Sequence, residues 1–119
     1  MKVFIILISL LILPTIRCEE FCSCEKKSHY DELGRNTWFL LHEIVKKENT
    51  MENRYFFNSF MSSLSMLYPC GECSEHIKDY IEEHPPELSE EWMCHFHNDV
   101  NARLEKPLHV CNNVLKGDL

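Results

Sequence analysis

The sequence predicts an all-α protein, an antiparallel bundle of four helices. Apolar residues recur at steps of three to five along four successive segments, the signature of helices with one buried face. No segment alternates apolar and polar residues long enough to make a strand. The breakers between segments are short (residues 48–50, Tyr68-Pro69 and His84-Pro85-Pro86), and short connections favour antiparallel neighbours.

The first helix is expected over residues 31–47, where Leu33, Trp38, Leu41 and Val45 fall near one face. Residues 51–68 carry Phe56, Phe60, Leu64 and Leu67 on a second stripe. Residues 71–83 place Cys73, Ile77, Tyr80 and Ile81 on a third. Ser89 is a good N-cap for the fourth helix, in which Trp92, Phe96, Val100 and Leu104 follow at steps of four. Residues 19–30 are polar, contain cysteine and lie outside the periodic region, so they are expected to form a mobile arm. Ahead of them Lys2, an eleven-residue apolar run over 3–13 and Pro14 have the form of a secretory signal peptide. A membrane-spanning helix needs roughly 20 residues; an uncleaved anchor or a buried core helix is the competing reading. The expected organisation is thus 1–18 signal peptide, 19–30 cysteine-containing arm and 31–119 folded domain.

Composition removes several function classes. The chain has 119 residues, 45% of them hydrophobic, with a net charge of −7, which argues against a nucleic-acid binder needing a basic face. Three glycines, far apart at Gly34, Gly71 and Gly117, cannot build a Gly-rich phosphate loop. Seven cysteines are the opposite extreme. Cleavage after Cys18 leaves six, an even number that reads as disulfides in an oxidising compartment.

The cysteines sort into three pairs. Cys70-Gly71-Glu72-Cys73 stands where the third stripe begins, and a helix N-terminus favours thiolate. It reads as a redox pair, as a structural bridge, or as half of a Cys3His zinc site with Cys94 and His97. Cys94 and Cys111 read as a staple tying the tail to the bundle, worth roughly 3 kcal/mol in the chain-entropy account. Cys22-Ser23-Cys24 would close a very small, strained ring. That makes it a poor staple and a good exchange device on a tether, unless these thiols bridge elsewhere.

Disulfide exchange only moves oxidising equivalents about, and net oxidation needs a final acceptor. Gly34-Arg35-Asn36-Thr37-Trp38, with His42 four residues on, resembles the GRxxWxxxH opening of the Erv/ALR sulfhydryl oxidases. Tyr68-Pro69-Cys70-Gly71-Glu72-Cys73, continuing through Ser74 and His76, is similar to their YPCxxC centre and to the endoplasmic reticulum branch. Cys94, His97-Asn98, Val100-Asn101, Leu104 and Lys106-Pro107 resemble their CxxHNxVNxxLxKP segment, with Cys111 where the partner of Cys94 is expected.

The resemblance implies a helical domain binding FAD without a Gly-rich loop, with a short fifth helix or turn after the bundle, and a homodimer. It implies cofactor contacts from Gly34, Arg35, Trp38 and His42, and from His97, Asn98, Asn101 and Lys106. Cys70 and Cys73 become the catalytic pair, with Cys73 on the flavin side, and Cys22 and Cys24 the shuttle. The chemistry agrees: Trp38 and His97 offer flat rings, while Arg35 and Lys106 meet pyrophosphate charge. Taken singly, Trp38 would be core, the histidines satisfied helix residues, and the cations solvated charges. Electrons would pass from a protein thiol, such as a protein disulfide isomerase-like partner, to O2, giving H2O2 in the endoplasmic reticulum lumen. The competing classes are a zinc module and a purely disulfide-stapled secreted binding protein.

The chain also departs from that pattern. No Trp follows Cys111, so the adenine end is expected to be less enclosed. The usual Phe/Tyr-Asp before that cysteine is His109-Val110, residues 43–48 are short and charged, and the candidate shuttle pair precedes the core rather than following it.

Overall fold

The computed structural model describes the backbone of residues 18–111, and the side chains of residue 27 and of residues 29–111. The expected signal peptide, residues 1–18, lies outside the described residues except for Cys18, which is helical backbone, and the tail after Cys111 lies outside them too. Among the described residues four helices follow in order: α1 Cys18–Ile44, α2 Met51–Leu67, α3 Gly71–Glu83 and α4 Glu90–Arg103. Among the described residues there is no strand. The chain divides into two compact units between Leu33 and Gly34, and everything below concerns the second unit unless stated.

Helices α2, α3 and α4 each start where a side chain can satisfy an orphan N–H. Thr50 Oγ1 accepts from Asn53 N–H at 3.1 Å, opening α2. Ser89 Oγ accepts from Trp92 N–H at 3.1 Å, opening α4 at the expected cap. Such caps are worth about 1 kcal/mol each. At α3 the cap is Cys70 itself, a chemically unusual choice taken up below.

The core draws on all four helices and two residues between them, Val45 and Leu88: Leu41 and Val45, Phe57 and Met61, Ile77 and Tyr80, Leu88, then Trp92, Met93 and Phe96. Trp92, Phe96, Tyr80 and Phe57 meet tilted or edge-on, with centroids 4.8–5.9 Å apart. Burying Phe96 at 1% exposure contributes about 1.5–3 kcal/mol.

Two expectations need correction. On α2 the stripe is rotated: Phe57, Met61 and Ser65 are buried, while Phe56 and Leu67 lie 58% and 79% exposed. This helix is apolar on more than one side, with Met51, Tyr55, Phe56, Met66 and Leu67 outside, so periodicity alone picks either face. Residues 19–30, expected as a mobile arm outside the helices, are helical backbone within α1. Helix extension costs little once a nucleus exists, and Glu19, Glu20, Lys26 and Lys27 are sound helix formers that leave no apolar signature.

Beyond α4 the chain turns at residues 104–105 and runs without regular structure through 106–110. Glu105 takes a left-handed conformation, φ 55°, which lets Lys106 N–H reach back to Asn101 C=O at 2.8 Å. Cys111, the last described residue, has 3-10 backbone.

Candidate functional site

Gly34, Trp38 and His42 recur every fourth residue along α1 and therefore share a face. His97 and Asn101 do the same on α4. The faces meet. Trp38 and His97 lie parallel, centroids 3.9 Å apart and planes 8° from each other. His42 Nε2 is 2.9 Å from His97 Nδ1, and Trp38 also meets Phe96 edge-on at 5.2 Å. The ring of His109, from the return segment, stands 5.1 Å from that of His97 at 56°. Trp38 and His97 thus stack on each other, and at 3.9 Å no third ring fits between them; a flat ligand has only their outer faces.

The His42 and His97 rings resist protonation. Burial pushes His97 down to about 4, with help from His42, His109 and Lys106. Burial likewise lowers His42, and His109 and Lys46 add to it. His42 Nδ1 is buried and has no partner among the described residues, so one polar atom of the wall is left over. A buried polar atom without a partner costs about 1–3 kcal/mol, which makes it a position suited to a ligand atom. Asn101, 5% exposed, adds a buried amide one turn beyond His97. A Cβ at Gly34 would meet nothing within 4 Å, so the start of the α1 face borders open space. Arg35 and Lys106 are exposed cations at its margins.

The sulfur chemistry is attached to this ring cluster through one hydrogen bond. Thr37 Oγ1 and Tyr68 OH lie 3.0 Å apart, joining the residue before Trp38 to the residue two before Cys70. Pro69 ends α2, and Cys70 turns the chain into α3. Ser74 fastens that turn, donating from Oγ to Ser65 C=O while its N–H bonds Cys70 C=O at 2.8 Å. Cys70 and Cys73 are bridged, and Cys73 N–H points at Cys70 Sγ at 3.3 Å. Each is half-buried. When that bridge opens, the N–H and the helix N-terminus both favour negative charge on Cys70.

Cys94 and Cys111 form the second bridge, as expected for a staple. The two bridges engage the three sulfurs of the zinc reading with other partners, and that reading loses its ligands. Cys22 and Cys24 fall on helical backbone in the first unit.

Asn98 is placed differently from the rest. Its Nδ2 donates to His109 C=O and its Oδ1 accepts from His109 N–H, both at 2.8 Å. Nδ2 also lies 3.2 Å from Cys111 Sγ. His109 and Thr37, absent from the expected site residues, belong to the cluster; the unusual His before the last cysteine was the available signal for the first. A separate cleft is lined by Tyr80, His84, Trp92, His95, Asn98 and Asp99, among others, and of the expected site residues only Asn98 borders it.

Comparison with known proteins places the chain in context. The model of the Erv1 / Alr family matches residues 35–118. Over 92 residues the chain is 38% identical to the FAD-linked sulfhydryl oxidase ERV1 of Oryza sativa, covering 71% of this chain and 47% of that protein. Over 93 residues it is 37% identical to the FAD-linked sulfhydryl oxidase ERV2 of Saccharomyces cerevisiae, with the same shares. The chain therefore spans about half the length of these curated relatives. The crystal structure of the FAD binding domain of Erv1 from Saccharomyces cerevisiae superposes with TM-score 0.64 at 34% identity, covering 68% of this chain and 85% of that one.

Proposed function

The chain belongs to the Erv1/Alr family, and from that membership we propose that it is an FAD-dependent sulfhydryl oxidase that makes disulfides in protein substrates. The observation that carries the reading is the placement of a bridged Cys70–Cys73 pair at a helix N-terminus, tied through Tyr68 and Thr37 to the Trp38–His97–His42 cluster. Two aromatic faces, a leftover His42 Nδ1, a buried Asn101 and bare space at Gly34 fit a large flat cofactor. Gly34, Trp38, His42, Cys73, His97 and Asn101 would border its ring systems, and Arg35 and Lys106 would meet its pyrophosphate. FAD, when bound, supplies two-electron acceptance and delivery to O2, with hydrogen peroxide as product.

The thiol half of the reaction follows from this chain's own atoms. A substrate thiolate attacks Cys70 Sγ, the S–S bond breaks, and Cys73 leaves as thiolate in the first turn of α3, where the helix N-terminus stabilises it. The second substrate thiol attacks the mixed disulfide. Cys70 then departs as the leaving group, its charge met by Cys73 N–H. The substrate is now a disulfide, and Cys70 and Cys73 hold its two electrons. Cys22 and Cys24 act ahead of this step as a shuttle, taking electrons from a protein thiol such as a protein disulfide isomerase-like partner.

Phe39, Leu40, Tyr55 and Phe56 are exposed on α1 and α2, and they support a homodimer. The apolar run after Lys2 supports the secretory pathway, with the endoplasmic reticulum lumen as the working compartment. The test uses the purified full chain: a bound flavin spectrum and dithiothreitol-dependent oxygen uptake that Cys73→Ser abolishes. Stoichiometric zinc with no flavin, or turnover that survives Cys73→Ser, overturns the reading.

A further inference from the structure

The return segment runs back along α4 and is pinned to it at three successive points. Lys106 N–H bonds Asn101 C=O, the peptide of His109 is gripped by Asn98, and Cys111 is bridged to Cys94. Cys94, Asn98 and Asn101 lie at steps of four and three, one face of α4. The outer pins are covalent or backbone-borne. The middle one depends on a single side chain.

Asn98 is the one residue type of its size that fits this place. His109 N–H requires an acceptor and His109 C=O requires a donor, and a carboxamide supplies both in the right order. The second Nδ2 hydrogen faces Cys111 Sγ at 3.2 Å. Both amide donors are thus engaged within the protein. What this grip positions is the ring of His109, beside the outer part of a stack that continues through His97 to Trp38.

We propose that Asn98 is a positioning residue that acts through His109: by fixing the His109 peptide it sets that ring against His97 as a wall of the cofactor site, and it does not itself hold the cofactor. This rests on the oxidase reading above. His109 then serves as a ring-bearing wall, and an aromatic ring of similar size is interchangeable with it.

The test measures FAD binding to the full-length apoprotein by quenching of flavin fluorescence, together with amide hydrogen exchange at His109. Asn98→Ala and His109→Ala are each expected to weaken FAD binding about tenfold, the worth of one lost polar contact. The double variant is expected to be no weaker than the stronger single one, because both break the same wall. His109→Phe is expected to bind within about threefold of wild type by keeping a ring in place. Asn98→Ala, which removes the acceptor of the His109 N–H, should speed exchange of that amide while the α2 and α3 amides stay protected. That protection also shows that the variants fold.

Additive losses in the double variant, or His109 exchange unchanged in Asn98→Ala, overturn the inference while leaving the oxidase reading intact. A wild-type chain that takes up no FAD overturns both.

Discussion

His42 Nε2 lies 2.9 Å from His97 Nδ1, and a contact of that length holds one hydrogen, not two. The pair therefore folds with at most one proton between the facing atoms. Burial and the neighbouring imidazoles set this state: His97 falls from its ordinary 6.5 to about 4, and His42 is lowered as well.

Stability should therefore fall as the solution is acidified from pH 6.5 towards 4. In that window the unfolded chain binds protons that the folded His42–His97 pair refuses, so unfolding is favoured as pH drops. Above 6.5 both states leave these rings neutral and their contribution is complete. Lys46 and Lys106 add to the refusal, whereas Glu43 and Glu90 oppose it at His42. Urea unfolding of the apoprotein at pH 7.5, 6 and 5 measures the slope. His97→Phe should flatten it, and an equal slope in that variant removes His97 as its source.

Glu105→Gly should stabilise the protein. Glu105 sits at φ 55°, where a side chain costs about 1–2 kcal/mol that glycine avoids. Glycine's larger unfolded-state entropy offsets part of this, leaving a gain of about 0.5–1 kcal/mol. Glu105→Val should lose stability instead. Chemical denaturation midpoints of the three proteins give the ordering.

Gly34→Ala separates folding from ligand binding. The residue lies inside α1 and a Cβ there meets nothing within 4 Å, so alanine should add about 0.5–1 kcal/mol of helix stability. If the cofactor borders this face, the same methyl group should weaken FAD binding. Thermal melting of the apoprotein and a flavin titration should therefore move in opposite senses. Unchanged affinity would place the cofactor away from Gly34.

The α4 end of the site was the most legible part of the sequence. Ser89, the steps of four from Trp92 through Phe96 to Val100, and the His97–Asn101 pair each follow from a local rule, and the structure keeps them; only the last step fails, because Leu104 lies past the helix end and is 57% exposed. The α2 face was not legible, because Phe56 and Leu67 are as apolar as Phe57 and Met61 and periodicity does not say which side meets α3. The α1 extension was hidden for the opposite reason: residues 19–30 have no apolar stripe to read. Asn98 shows a third kind of limit. The family resemblance placed it among the cofactor contacts, but the bonds it makes run to a segment eleven residues on whose path no local pattern encodes.

The Cys22–Cys24 pair should respond to redox state through its backbone. Positions two apart in an α-helix stand about 200° from each other around the axis, so a bridge between them is incompatible with regular helix. The structure gives residues 18–44 helical backbone, the form open to free thiols. Closing the bridge must unwind about one turn, and opening it during exchange allows the turn to re-form. Far-ultraviolet circular dichroism should therefore show more helix in the Cys22→Ser/Cys24→Ser variant than in the fully oxidised wild type. Mass spectrometry of peptides from the oxidised protein establishes whether the bridge is closed in the sample compared. With the bridge closed and helix content equal to that of the double serine variant, the helical register of this segment would be wrong.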